Sequence, residues 1–461
     1  MLVTKTWYGH DSLLKLRANA AAIARLLPRA ALLLGLSLTG AVTAHANTIT
    51  VANCSQPAVQ GAIDAAVNGD TVVVPSGSCT WSSTLAVRKA VTIQASGTVT
   101  ISCGSDSVNL IEATETTSGV IRILGFVFAS GSCSTQSFSK HFISVATTAS
   151  GRPVVIANNT FNGKYGAIRM NTNRGVIAHN TFDGGAYTGS ASYNTTEALQ
   201  AKCEGACNST AWGAGSTLGA LDTDGEHNIY FEDNTIIEHN TETIDFDGSS
   251  RVVVRYNTFN QSGLTSHGTD TSTWGNRQWE VYNNTFKYTG GDCDFKTYAP
   301  MDYFIYIRGG TGIIADNVIG DINSCATGNK AEIKFAIFNL RQSGAGPHPC
   351  WAGGYPSPRQ HGMGRVTGTA GDDSFGVYYG DSDPIYIWGN TGAGSATPVM
   401  ADFEPDQCGR NLRTASFVQQ NRDWFASPRP GYTKYTYPHP LRGGATTVPA
   451  PSAPINLRIV R

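Results

Sequence analysis

Four aspartates, one histidine and one arginine carry the chemistry this chain could perform. Counting back from a recurring asparagine sets five short segments in register. They are Ile168-Arg169-Met170-Asn171-Thr172, Leu221-Asp222-Thr223-Asp224-Gly225, Ile244-Asp245-Phe246-Asp247-Gly248, Leu264-Thr265-Ser266-His267-Gly268 and Ile305-Tyr306-Ile307-Arg308-Gly309. In a strand, alternate side chains face opposite ways, so the leading Ile or Leu points inward. Two outward columns result: Asn171, Asp224, Asp247, His267, Arg308, and Arg169, Asp222, Asp245, Thr265, Tyr306. Strands about 4.8 Å apart would stand Asp222 over Asp245 and Asp224 over Asp247, which like charges resist unless something intervenes. One solution is a Ca²⁺ ion on Asp222, Asp224, Asp245 and Asp247, a hard cation that takes oxygen ligands. The other is an acid and base pair drawn from the same carboxylates.

With Ca²⁺ or an arginine neutralising the carboxylate of a uronic acid, a base can remove the adjacent C5 proton and drive β-elimination. His267 or Arg308 would be that base, with Asp245 beside them, and Arg169 or Arg308 a second carboxylate clamp. Asn171, Asp270, Trp274, Arg277 and Tyr306 are further candidates for substrate contact. Each aspartate alone has a blander reading, because Asp-Gly commonly ends a strand. Arg277 and Glu280 read equally well as an ion pair across a loop.

The elements that would position these residues come from a repeat. A short run of alternating β-formers, then Asn, one further residue and an apolar one recurs in several copies. They are Val154–Phe161, Val176–Phe182, Ile229–Ile236, Val252–Phe259, Trp279–Phe286 and Ile313–Ile319. The shortest steps between the asparagines are 21 residues (Asn159 to Asn180) and 23 (Asn234 to Asn257). Period-2 strands inside a period near 22 specify a β-solenoid, whose coils bury a shared core only by stacking. Phe161, Phe182, Phe259 and Phe286 should stack inside. The asparagines should form a ladder at a bend, where Asn tolerates the left-handed conformation and serves neighbouring backbone groups.

A solenoid needs its open ends covered. Gln56–Val67 has helical spacing and can plug the first coil, and Asn421–Pro440, rich in aromatics and proline, should pack along the body. Insertions between repeats carry aromatics (Tyr187, Trp212, Trp274, Tyr298, Trp351) able to wall a sugar-binding groove.

Composition sets outer limits. The chain has 461 residues, a formal net charge of −1 and only 15% charged residues, so no basic excess points to nucleic acid or an anionic membrane. Residues 1–46 read as an export signal. A cationic stretch precedes the apolar run Ala30–Val42, and Ala44-His45-Ala46 offers a cleavage site. Nothing later reaches the roughly 20 apolar residues of a membrane span. Ten cysteines in an exported chain imply disulfides, with Cys203/Cys207, Cys54/Cys79, Cys103/Cys133, Cys293/Cys325 and Cys350/Cys408 as sequential pairs. The expected organisation is a signal peptide (1–46), one solenoid domain (47–440) and a Pro-rich tail (441–461). The mature protein should be secreted and monomeric.

The segment His267-Gly268-Thr269-Asp270, Arg277, then Glu280-Val281-Tyr282-Asn283-Asn284-Thr285-Phe286, together with the repeat, resembles the pectin-lyase-like superfamily. It is most similar to secreted bacterial members with an HGT[D/E] signature. The resemblance covers roughly residues 48 to 440 and implies an all-β, right-handed parallel β-helix. It also implies, for related lyases, Asp-bound Ca²⁺ with a Lys or Arg base. The chain departs from the pectate lyase pattern in lacking an Arg-x-Pro-x-x-Arg segment. The fold hosts lyases, hydrolases and non-catalytic proteins alike. Three functions therefore stay open: a lyase on an acidic polysaccharide, a glycoside hydrolase using paired aspartates, and a non-catalytic carbohydrate-binding protein.

Overall fold

Each repeat is one coil of a parallel β-helix. The computed structural model describes residues 46–133, 140–163, 165–184, 197–203, 207, 215–237, 243–268, 275–287, 303–320, 333–336, 361–366, 380–392, 397–400 and 414–444. Among them, twenty strands form one long sheet and ten a second, and apart from one short antiparallel pair (Met363–Val366 with Gly380–Ser382) every pairing is parallel. A coil gives the long sheet two strands, as Val154–Ala157 and Thr160–Asn162 do, and gives the second sheet one, such as Gly166–Asn171. Such strands are buried on the inner face through neighbours in other coils, which is why apolar residues recur at coil spacing.

The bend between the two long-sheet strands carries the ladder. Asn159, Asn180, Asn234, Asn257, Asn284, Asn317 and Asn390 follow one another, and each side-chain Oδ1 accepts both the backbone N–H and the Nδ2–H of the Asn one coil before. The second Nδ2–H of each from Asn159 to Asn317 donates to a main-chain carbonyl, so these buried amides use both donors and the acceptor, which burial demands. The left-handed residue, however, is the one before the ladder Asn: Asn158 (φ 58), His179 (φ 55), Asp233 (φ 54), Tyr256 (φ 57), Asn283 (φ 57) and Asp316 (φ 53). Turning the chain one position early leaves the ladder Asn free to point inward along the coil axis.

Inside, Phe128, Phe161 and Phe182 stack at 5.1 and 4.9 Å between ring centroids, and Phe259 on Phe286 at 4.7 Å. The first coil is closed by the helix Gln56–Ala65, which buries Val59, Ala62 and Ile63. Gln60 bonds both the N–H and the C=O of Ala86, so the helix also serves the first strand's free edge. Lys89 donates to the carbonyls of Ile63, Asp64 and Ala66, satisfying the orphan acceptors of the helix end.

Disulfides join Cys54 to Cys79, Cys103 to Cys133 and Cys203 to Cys207, as expected, and fit an oxidising compartment. The other four cysteines, residues 1–45 and the tail from 445 lie outside the described residues. No helix among the described residues is long and apolar enough to cross a membrane.

The C-terminal segment lies along the long sheet as a strap. Arg255 donates to the carbonyls of Tyr435 and Thr436, Tyr432 to Glu280, and Lys434 to Asp316 and Asn283. Its attachment is thus polar as well as apolar.

Candidate active site

The ten-strand sheet sets the registers that decide which residues meet. Ile168, Leu199, Ile244, Leu264, Ile305 and Ile333 align and point inward, as expected for four of them. In the next position Arg169, Gln200, Asp245, Thr265, Tyr306 and Lys334 align. Beyond these, Lys202 pairs with Asp247.

The neighbour of Asp245 and Asp247 on the preceding coil is therefore the strand Leu199–Lys202, not the Asp222 segment. Asp222 lies in a turn ahead of the strand Ile229–Glu232, bonded by Tyr230 Oη (2.9 Å), Asn228 Nδ2 (3.0 Å) and the N–H of Glu226. Burial raises its carboxyl above the ordinary value, with the Tyr230 and Asn228 hydrogen bonds opposing. Asp224 is exposed in the same turn, as is Leu221, which was expected to face inward. Asp222 and Asp245 are 23 residues apart, as are Asn234 and Asn257, and that equality misled because this coil carries an insertion between its second-sheet strand and the strand before the ladder. Counting back from Asn234 therefore lands in the insertion.

Lys over Asp replaces the expected Asp over Asp. Lys202 Nζ lies 3.0 Å from Asp247 Oδ2, and the N–H of Gly248 donates to Asp247 Oδ1. Burial alone would raise the Asp247 carboxyl, but the His267 and Lys202 charges, with the hydrogen bonds from Lys202 and Gly248, hold it below its ordinary value.

Across the next two coils runs a chain of three groups. His267 Nε2 is 2.8 Å from Asp245 Oδ1. Arg308 Nη2 lies 2.7 Å from His267 Nδ1 and 2.5 Å from Nε2. A guanidinium can only donate, so one ring nitrogen accepts from Arg308; with Nδ1 as that acceptor, Nε2 carries the proton and faces Asp245 Oδ1 in an ion-pair contact. All three are buried. Backbone bonds fix them: His267 N–H donates to Phe246 O, and Arg308 Nε and N–H both donate to Ser266 O.

One coil further, Lys334 Nζ sits 5.4 Å from the ring centroid of Tyr306 and 5.7 Å from that of Tyr303. Arg308 also lies over Tyr306, at 5.6 Å. Gln200, Lys202, Tyr303 and Lys334 were not singled out from the sequence. Leu199-Gln200-Ala201-Lys202 and Ile333-Lys334-Phe335 show the right alternation, but each precedes an insertion, so no nearby ladder Asn flags them.

The remaining candidates scatter. Arg169 stands two coils before Asp245 and bonds Asn171 at 3.0 Å, so these two share the sheet but not the cluster. Arg277 precedes the strand Gln278–Tyr282 of the long sheet, buried, its guanidinium held below its usual range by burial, with Asp383 opposing. Glu280 bonds Tyr432 and Gly219 N–H; an Arg277–Glu280 ion pair is not what holds either. Asp270 and Trp274 lie outside the described residues, as do the groove-wall aromatics of the long insertions.

A profile of the right-handed β-helix region matches residues 131–286, the stretch that holds the ladder from Asn159 to Asn284 together with Asp245 and His267. The chain is a right-handed parallel β-helix. It accords with the pectin-lyase-like superfamily that the sequence resembles. No curated protein matches this β-helix. Among solved structures it is similar to a PL6 family alginate lyase, AlyGC, at 16% identity and a TM-score of 0.39 over 82% of this chain. An arginine mutant of that enzyme gives 13% and 0.37 over 81%. The chain spans about half of that lyase's length, 47% in both comparisons.

The β-helix does not assemble the four-aspartate calcium cage. Among the described residues no three His, Cys, Asp or Glu side chains converge on one point, and Asp247 already has an ammonium partner. A hard cation would have to displace Lys202. The paired-aspartate hydrolase loses its footing for a related reason. It needs one carboxyl kept protonated beside a second, whereas Asp247 is held below its ordinary value, Asp245 is taken by His267, and Asp222, the one burial raises, lies in the turn before Ile229–Glu232 and not on their sheet.

Proposed function

We propose that this β-helix is a polysaccharide lyase that cleaves an acidic, uronate-containing polymer by β-elimination. The observation that carries the reading is the Asp245–His267–Arg308 chain, set on three consecutive coils of one rigid sheet. In such a reaction a cation must neutralise the C6 carboxylate so that the C5 proton becomes acidic, and a base must stand ready to take it. Arg308 supplies the cation. When a substrate carboxylate draws its guanidinium away, Nδ1 of His267 is left with a lone pair, and the C5 proton passes to it. The C5–H electrons form the C4–C5 double bond, the bond from C4 to the glycosidic oxygen breaks, and that oxygen leaves as the hydroxyl of the other fragment, taking its proton from the His267 imidazolium or from water. Asp245 holds the ring and stabilises the imidazolium that results, a positioning role.

Lys334 adds a second cation beyond Arg308 along the same sheet, placed for the carboxylate of a neighbouring sugar. The nearby rings of Tyr303 and Tyr306 offer flat surfaces of the kind sugars stack on. The similar structures are alginate lyases, but that likeness is distant and lends no support at the level of residues. Three disulfides and the expected leader fit action outside the cytoplasm.

The test is ultraviolet absorbance from unsaturated uronate ends while residues 47–461 meet alginate, polygalacturonate, glucuronan and glycosaminoglycans, with and without a chelator. Rising absorbance on one polymer establishes the lyase and its substrate class. Activity that survives the chelator assigns the neutralisation to Arg308; activity lost in it adds Ca²⁺ to the account. Binding without product on every polymer contradicts the lyase and leaves a carbohydrate-binding solenoid.

A further inference from the structure

The end of the strap is attached through a contact that only a neutral imidazole can make. Arg442 reaches the bend between the strands Gly175–Ala178 and Thr181–Asp183, where its Nη2 meets Nε2 of His179. A guanidinium has no lone pair to offer, so Nε2 must accept and His179 must carry its proton on Nδ1. Protonation removes that acceptor and sets two cations in contact.

We propose that this junction is an acid-sensitive latch: protonating His179 frees the Arg442 end of the strap from the flank of the β-helix. The groups facing the junction come from three places: the next coil, an earlier coil and the strap itself. Glu232 and Asp233, from the next coil, both bond Arg442, Glu232 at 2.9 Å. Tyr437 of the strap donates to Asp233 at 2.7 Å, and its ring lies under Arg442. Arg122, on an earlier coil, donates to Leu441 O at 2.8 Å. His439, in the strap itself, accepts the N–H of Leu441 on Nδ1 and donates its own N–H to Glu232. The bonds of Glu232 to Arg255 and to the His439 N–H do not pass through His179, so they retain the strap's centre while its end loosens.

The direction follows from linkage. Partial burial and the Arg442 charge hold His179 below its ordinary value, against the pull of Asp233 and Glu232. A histidine depressed in the folded state contributes stability that is present above its unfolded value. That contribution is lost as pH falls through the folded one. His179 is exposed, so a proton reaches it without any prior opening.

Hydrogen exchange of the strap peptide 436–444, corrected for intrinsic chemistry, reads the latch between neutral pH and about pH 5. The expected result is faster opening of that peptide on acidification, approaching the limit of about tenfold per pH unit that one proton sets. Ladder amides should be unmoved. The His179→Asn variant keeps an acceptor and suits the left-handed backbone, since Asn158 and Asn283 hold the same place with φ 58 and 57. Its strap should exchange at a pH-independent rate. An acid response equal in wild type and His179→Asn, or no response in wild type, overturns the proposal. The first of these would move the response to His439.

Discussion

On the flank of the long sheet, Glu232 and Arg255 are both fully buried and meet at 2.6 Å. Tyr282 and the strap carbonyls of Tyr435 and Thr436 take the remaining guanidinium hydrogens. On the ten-strand sheet, Asp245 meets an imidazole at 2.8 Å, and that imidazole meets Arg308. Both sites place a carboxylate and an arginine within a few ångströms. In the first, the pair is sealed by groups of the chain itself that do not titrate near neutrality, so it can only hold the strap. In the second, an imidazole, a group with both a protonated and a neutral form, is interposed. The interposed imidazole is what sets the proposed site apart from the ion pair under the strap.

Substitutions can break this contrast, and the largest expected effect is on turnover. Asp245→Asn deprives His267 of the anion that steadies its imidazolium. It should lower kcat about a hundredfold or more on the responding polymer, while the denaturation midpoint moves little. Glu232→Ala should do the reverse. It strands Arg255 as an uncompensated buried charge and should cost about 3–5 kcal/mol in denaturant unfolding, with activity per folded molecule retained. If Glu232→Ala removed activity without destabilising the fold, the division between the two regions would fail.

Asn234→Ala tests the frame that both sites share. It strips the bonds that Asn180 makes to the Asn234 side chain, and the expected loss is about 1–3 kcal/mol. The smallest effect concerns Glu280, beneath the strap. Burial, against the hydrogen bonds of Tyr432 and Gly219 and the charges of Arg429 and Arg255, pushes its carboxyl up to about 7. An acid raised in the folded state makes stability fall as pH rises from the ordinary glutamate range through that value. Glu280→Gln should flatten that segment of a stability–pH curve, and an unchanged slope would show the carboxyl is not the source.

How much of this was legible in the sequence depended on distance from the ladder. Phe161, Phe182, Phe259 and Phe286 keep a fixed offset from their asparagines, so the core stack could be read directly. Ile244 and Ile305 precede theirs by 13 and 12 residues and Leu264 precedes its own by 20, across one short loop insertion, so Asp245, His267 and Arg308 could still be aligned from the sequence. Asp222 could not, because an insertion of unknown length separates it from the strand it was counted from. Lys202 and Lys334 stayed hidden for the same reason, although each sits in a strand with normal alternation. The ladder's left-handed residue was displaced by one because Asn is only one of several residues there; His179, Tyr256 and Asp316 share the place.

The most direct test of the central claim compares wild type with His267→Ala on whichever uronate polymer responds, following unsaturated product by absorbance and by NMR of the C4 vinyl proton. The account predicts that wild type releases this product and that His267→Ala, with an unchanged melting temperature, releases about a hundredfold less or lower still. Unsaturated product formed equally fast by the variant would contradict it and pass the role of base to another group.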